Sequence, residues 1–353
     1  MLWVTNMPAP YRIPLWDDLS HEFQLKVLFG LPKSNWRGWH VPDNRGWDYH
    51  FFSNKYLKIG EYEMPLKVFG LNRFVKSQDV VIIGGWENPF YLTVVILCRY
   101  YRIPYFIFYG DRKKNVIQYL PQTLLKKFVF KSATGVISLS HQTTRNLLAV
   151  GILEKKILTL FNPHNQKKAL ETKRIQSEKH GHRFIFIGQL IDRKSPIELF
   201  DAFVKMGNPQ DTLTFLGSGK LKETLVKKII NGALEERVKM EKSISSEDVL
   251  KYLRGFDTLV LPSKEEIWGQ VVNEAYAMGL NIVVSENCGV AEYLRGSEGV
   301  FVCDEKLNDL AHCLDMARKS DFSPSRLLER EDFSTERFAA LFSLYIKDQL
   351  TLT

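Results

Sequence analysis

Residues 261–279 read LPSKEEIWGQVVNEAYAMG, and the fold turns on how that stretch changes character. An apolar run, Thr258-Leu259-Val260-Leu261, ends in a polar turn. A helical pattern follows as far as Gly279, a residue able to take the positive φ of a helix end. Strand, turn and helix in that order predict a βα step of a parallel sheet. Glu266 falls in the turn and Glu274 about one turn into the helix, with seven residues between them. Both carboxylates can then face one cleft at the carboxyl end of the strand, where open α/β sheets bind ligands. The amides of Trp268, Gly269, Gln270 and Val271 would open the helix with unpaired N–H groups, a site for phosphate at the positive end of its dipole. Glu274 suits a vicinal diol such as a ribose, and Glu266 the hydroxyls of another sugar, at about 1.5–3 kcal/mol per charge-assisted bond. The plainer alternative is two solvated acids near a helix start, where acids are common.

Outward from this unit the chain keeps alternating. In the first half, residues 2–6, 26–31, 47–52, 79–85, 105–109, 135–140 and 156–161 read as strands, with helices at 14–22, 89–101, 118–132 and 142–150. The segment 33–45, with Trp36, Arg37 and Trp39, has no periodicity and is expected to be a loop. Residues 164–182 turn polar and read as a linker. Strands at 184–188, 213–217, 238–244, 258–261, 282–285 and 300–303 then resume the pattern, with Ser245 or Ser246 as the N-cap of an intervening helix. An amphipathic helix closes the chain at 334–349. The expected domains are therefore 1–163, a linker 164–182, 183–333, and a terminal segment 334–353, as suits a chain of 353 residues, too long for one core.

Charge is uneven. Residues 1–168 hold 23 Lys/Arg against 11 Asp/Glu, net +12, and the remainder 25 against 29, net −4, which together give +8. A basic half fits nucleic acid, an anionic membrane face or a phosphorylated acceptor, and with no nucleic-acid module in the sequence the last two rank higher. In the helix 118–132, Leu124, Leu125, Phe128 and Val129 fall on one side with Lys126, Lys127 and Lys131 beside it. Such a helix can lie on an anionic bilayer, but packing on the core with a solvated basic face is the favoured reading. No apolar run approaches the roughly 20 residues of a membrane span, and four scattered cysteines fit buried thiols in a reducing cytoplasm.

The run Pro262-Ser263, Glu266, Gly269, Glu274-Ala275, Ala277 and Gly279, followed by a strand at 281–285 and then Gly289, Glu292 and Gly299, resembles retaining glycosyltransferase family 4. The resemblance implies an α/β, GT-B architecture: two Rossmann-like domains facing a central cleft, with the Glu pair holding a nucleotide-sugar donor. Residues 186–194, FIGQLIDRK, resemble the family's donor-phosphate segment. Gly188 and Gln189 would border the donor, and Arg193 and Lys194 would neutralise the departing diphosphate, because Gln189 stands where an arginine is frequent. Gly217, in the turn after a strand, matches a turn that borders the nucleotide. On the acceptor side the resemblance points to Arg12, in a proline-punctuated turn after the first strand, for an anionic group. A rigid turn with Tyr11 packed on the domain is an equal alternative. Tyr109-Gly110-Asp111-Arg112 occupies the place of a histidine common in the family, which leaves the role of Asp111 open.

With the basic first half, the resemblance implies a cytoplasmic transferase and leaves open whether it sits on the inner membrane face. It would move a sugar from a nucleoside diphosphate to a saccharide or lipid-diphosphate-linked acceptor in surface-polysaccharide synthesis, with no cofactor, no metal and no nucleic acid. The rivals are a nucleotide-sugar epimerase of the same fold and an inactive donor-binding subunit, the latter suggested by Gln189 and the missing histidine.

Overall fold

The computed structural model describes residues 1–32, 41, 45–59, 62–65, 67–111, 120–163, 181–245, 248–320 and 334–351. It divides the chain into two units, residues 1–164 with 332–353, and residues 165–331. In the first unit the apolar runs become short buried strands: β1 (Leu2–Thr5), β2 (Lys26–Phe29), β3 (Asp48–Phe51), β4 (Tyr56–Ile59), β5 (Tyr62–Pro65), β6 (Val81–Ile83), β7 (Tyr105–Tyr109), β8 (Gly135–Ser138) and β9 (Ile157–Thr159). Seven form one parallel sheet in the order β3-β2-β1-β6-β7-β8-β9, while β4 and β5 pair antiparallel by themselves. The helices are α1 (Ile13–Glu22), α2 (Asn72–Val75), α3 (Pro89–Tyr101), α4 (Leu120–Ser132) and α5 (His141–Ala149). Local chemistry sets their ends. Asn88 caps α3 by accepting from the Tyr91 N–H at 3.0 Å, with Pro89 in the first turn, and Ser140 caps α5 through the Thr143 N–H at 3.1 Å.

The second unit repeats the scheme with β10 (Arg183–Ile187), β11 (Thr212–Leu216), β12 (Val238–Glu241), β13 (Thr258–Leu261), β14 (Asn281–Ser285) and β15 (Val300–Cys303). Its helices are α6 (Pro196–Met206), α7 (Lys222–Asn231), α8 (Val249–Leu253), α9 (Gln270–Ala277), α10 (Gly289–Leu294) and α11 (Leu310–Lys319). The sheet order is β12-β11-β10-β13-β14-β15, parallel throughout. Numbered within the unit this is 3-2-1-4-5-6, the Rossmann order. Both units are thus Rossmann-like α/β sheets.

A last helix, α12 (Thr335–Thr351), belongs to the first unit and packs on α1. Phe342 stacks on the fully buried Trp3 at 5.8 Å between centroids, and the Tyr345 hydroxyl donates to the Lys156 carbonyl at 2.6 Å.

Several expectations need correcting. The hairpin β4-β5 and the short helix α2 lie where no element was expected. Ser245 does not cap α8: its hydroxyl donates to the Asp248 carboxylate at 2.7 Å, and Asp248 holds the cap position. Ser246 lies outside the described residues, as do most of the loop 33–45 and of the linker. The face of α4 that packs on the core is rotated from the expected one: Val129 is buried and Lys131 exposed as expected. Phe130 and Lys126 are buried too, whereas Leu124, Leu125 and Phe128, expected to pack on the core, are exposed. All four cysteines are buried free thiols.

Candidate functional site

In the second sheet β10 lies between β11 and β13, so the chain winds away from β10 in one direction and from β13 in the other. That reversal opens a crevice at the carboxyl ends of these two strands. The loop after β10 carries Gly188 to Lys194, and the loop after β13 carries Pro262 to Gly269. They are stitched together by the Lys264 N–H, which donates to the Arg193 carbonyl at 2.8 Å, and by Arg193 Nη1, which donates to the Glu265 carbonyl at 2.8 Å. Arg193 Nη1 also lies 3.6 Å from Glu266 Oε2, and Lys194 Nζ bonds the same oxygen directly. Arg193, Lys194 and Glu266 therefore form one partly buried cluster, two cations on one carboxylate.

A second loop fixes Glu266. The segment after β14 runs alongside it, pairing Glu266 with Cys288 in a parallel bridge. The Gly289 N–H donates to the Glu266 carbonyl at 3.1 Å, and the Val290 N–H to the Trp268 carbonyl at 3.1 Å. The Cys288 thiol, sealed beneath the cluster, is pushed up to about 12 by burial and then by the Glu266 charge. Sequence reading placed Gly289 in the family-like run but gave this clamp at 287–290 no partner, because nothing in its composition announces that its backbone would pair with residues 266–268.

Beyond Glu266 the chain enters α9 through Gly269, whose φ of 102° is open to glycine and strained for other residues; a Cβ there would also meet Leu261 Cδ2 at 2.8 Å. Trp268 is buried, its indole N–H donating to Asn273 Oδ1 at 2.9 Å. Gln270 and Val271 open α9, at the positive end of its dipole. Glu274 is the fifth residue of α9 and half-buried. Across the crevice edge, the turn after β11 packs on the loop after β10. The Leu190 N–H donates to the Ser218 carbonyl at 2.8 Å and the Gly188 N–H to the Leu216 carbonyl at 3.1 Å. A Cβ on Gly217 would collide with the Gly188 carbonyl and one on Gly219 with that of Leu190, so both glycines are there for close approach. Gln189, half-buried, lies in the same loop.

The two acceptor-side candidates lie in the first unit, each beyond the carboxyl end of a strand. Arg12 donates to Thr5 Oγ1 at 3.3 Å, and its guanidinium rests 4.9 Å from the centre of the Phe108 ring. Asp111 accepts from the Tyr109 hydroxyl at 2.9 Å and from Lys126 Nζ at 3.1 Å, while its own N–H donates to Thr143 Oγ1 at 2.9 Å. Lys126 is buried beneath it, with the rings of Tyr109, Trp86 and Phe130 within 5.0–5.9 Å of its ammonium group. Burial, then the Asp111 charge, raises the Tyr109 phenol far above its ordinary range, so it donates and does not ionise. Sequence reading assigned Lys126 to a solvated face and so missed this pair. No described helix is long and apolar enough to cross a membrane.

Comparison with known proteins follows the same architecture. TuaC of Bacillus subtilis (strain 168), named as a glycosyltransferase for teichuronic acid biosynthesis, is 22% identical over 223 residues, 60% of this chain and 54% of TuaC. The chain thus spans about half the length of that relative. The capsular polysaccharide biosynthesis glycosyltransferase CapH of Staphylococcus aureus is 24% identical over 258 residues, 69% of this chain and 70% of CapH. Among solved structures, Anabaena HepE in complex with UDP and glucose superposes with a TM-score of 0.73 at 15% identity, covering 98% of each chain, a likeness of GT-B fold. Residues 167–328, nearly the whole second unit and all of its switch-point loops, match the family Glycosyl transferases group 1.

Proposed function

We propose that the chain is a retaining glycosyltransferase that moves a sugar from a nucleoside diphosphate, a UDP-sugar in the first instance, to a saccharide or lipid-diphosphate-linked acceptor of a surface polysaccharide. The observation that carries this reading is the gathering of Arg193 and Lys194 on Glu266 at the switch point of the second sheet. Two cations beside the opening turn of α9 suit a diphosphate better than any neutral ligand. The names of TuaC and CapH, and the UDP and glucose held by HepE, support the choice of polysaccharide and of uridine.

In this reading the bond between the sugar's anomeric carbon and the diphosphate oxygen breaks as Arg193, Lys194 and the amides around Gln270 stabilise the charge left on the phosphate. The acceptor oxygen bonds to the anomeric carbon on the face the diphosphate leaves, and its proton passes to the leaving phosphate oxygen. Glu266 holds Lys194 in place and accepts from hydroxyls of the sugar; Glu274 accepts from the ribose diol. Gly188, Gln189, Gly217, Trp268, Gly269 and Val271 shape the donor's cradle. With those cations in place the chemistry needs no metal. Arg12 and Asp111 serve the acceptor, and the reaction belongs on the cytoplasmic side of a membrane.

A thermal-shift screen of UDP-, GDP-, ADP- and CMP-sugars tests the assignment. A donor at 100 times its dissociation constant adds about 2.7 kcal/mol of apparent stability, and that gain should vanish in Glu274→Ala. Incubation with the labelled hit should then give transfer or slow hydrolysis. Full donor binding and turnover in both Glu266→Ala and Glu274→Ala would overturn the reading, as would an epimerised donor as the sole product.

A further inference from the structure

In the hairpin of β4 and β5, Glu63 is 4% exposed, and among the described residues neither of its carboxylate oxygens has a hydrogen-bond partner. Buried carboxylates are ordinarily met by a cation or by several donors, so an unmet one asks what completes it. The hairpin is fixed over the carboxyl ends of β1 and β2. Asn6, the residue after β1, donates through Nδ2 to the Glu63 carbonyl at 2.7 Å. Just past the two strands the Gly30 N–H donates to the Thr5 carbonyl and the Leu31 N–H to the Asn6 carbonyl, both at 2.8 Å. A Cβ on Gly30 would meet Pro65 Cγ at 2.6 Å and Asn6 Oδ1 at 3.2 Å. Glu63 and Pro65, two apart in a strand, share one side of β5, and both are buried. That side therefore faces Asn6 and Gly30. Asn6 Oδ1 is itself buried without a partner, so three oxygens that can only accept gather here with no donor among the described residues. In the first sheet β1 lies between β2 and β6, which makes the end of β1 that sheet's own switch point, where α/β folds bind ligands.

We propose that Glu63 and Asn6 form the subsite that reads hydroxyls of the acceptor's terminal sugar. The inference rests on the transferase reading and adds to it a recognition residue on the hairpin. Chemistry selects the ligand. The missing partner must supply several donors at once, and adjacent hydroxyls of a pyranose do so, whereas a phosphate or carboxylate would be repelled by Glu63. Arg12, bound to Thr5 one residue back along β1, is left for an anionic group of the same acceptor.

Glu63→Leu separates recognition from packing. A buried carboxylate kept for a ligand destabilises the free protein, so this variant should raise the urea midpoint of unfolding while losing the ligand. A Glu63 that served packing alone would give a lower midpoint. Binding is read by saturation-transfer NMR with the methyl glycosides of glucose, galactose, mannose, rhamnose and N-acetylglucosamine. At least one should bind the parent, and its dissociation constant should rise about tenfold or more in Glu63→Leu and in Asn6→Ala. Thermal shifts given by UDP-glucose and GDP-mannose should stay those of the parent in both variants. No glycoside bound by the parent, unchanged binding in both variants, or a lowered midpoint in Glu63→Leu would overturn the proposal. So would a preference for the methyl glycoside of glucosamine over the neutral sugars, which would give the carboxylate to an ammonium group. A parent that keeps its donor-induced shift beside any of these results loses this subsite alone; a parent without one loses the transferase reading as well.

Discussion

Replacing Glu266 by Gln changes one charge and almost no volume. The carboxylate serves two cations, Lys194 in direct contact and Arg193 at 3.6 Å, and the three side chains are only 13–20% exposed. Unit charges at that separation attract by about 4.6 kcal/mol at an effective dielectric of 20. Desolvation cancels part of this, leaving about 1.5–3 kcal/mol for a charged hydrogen bond of this kind. Glu266→Gln should therefore lower the unfolding free energy by about 2 kcal/mol, measured by urea denaturation with tryptophan fluorescence. A double-mutant cycle with Lys194→Met should return a coupling of about 1.5–3 kcal/mol. Binding of UDP should move the other way. With the competing carboxylate gone, two cations face the diphosphate, and calorimetry should show affinity rising about tenfold, equivalent to about 1.4 kcal/mol, even as sugar transfer is lost. A coupling below about 0.5 kcal/mol would refute the pairing, and a fall in UDP affinity would refute the placement of the phosphates beside it.

Three further outcomes follow from the packing. Lys126→Met leaves the Asp111 carboxylate without its buried cation and should cost about 3–5 kcal/mol in urea unfolding, most of it recovered by adding Asp111→Asn; a neutral single variant would contradict the buried pair. Gly217→Ala and Gly219→Ala each force the loop after β10 outward, so each should cost about 1–3 kcal/mol and weaken donor binding in the thermal-shift screen; parent-like affinity would show that the two loops do not need their contact. Burial pushes the Cys98 and Cys288 thiols up to about 12 from an ordinary value of 9.0. An acid raised on folding keeps its proton longer in the native state, so its stabilisation is complete below pH 9 and is lost as pH climbs toward 12. Urea midpoints should fall across that interval, and Ellman's reagent at pH 8 should find these thiols only after unfolding; rapid native labelling would contradict their burial.

The parallel sheets were legible because strands buried on both faces are nearly unbroken apolar runs, as in Tyr105–Tyr109 and Thr258–Leu261, and because helices alternate with them. Glu266 could be placed from its turn after an evident strand, whereas Arg193 and Lys194 could be suspected only through the resemblance of residues 186–194 to a donor-phosphate segment. What could not be read depends on pairings distant in sequence. Tyr56–Ile59 and Tyr62–Pro65 lack a clean alternation, and Pro65 argues against a strand unless it lies at an edge. Lys126 looked solvated because it sits beside Lys127 in a helix with Lys131; Asp111 and the rings of Tyr109, Trp86 and Phe130 make its burial tolerable. With Lys126 inward, α4 packs through Val129 and Phe130, and Leu124, Leu125 and Phe128 of the expected core stripe end up outside.

The return of α12 to the first sheet sets an order of events during synthesis. Trp3 is made more than three hundred residues before the Phe342 that stacks on it, and every strand of the second sheet is made between them. The first-made half must therefore wait, with an indole-lined groove uncovered, while the second-made half completes its own sheet. Released chains truncated after residue 334 should hold a finished second unit beside a first that still binds chaperone.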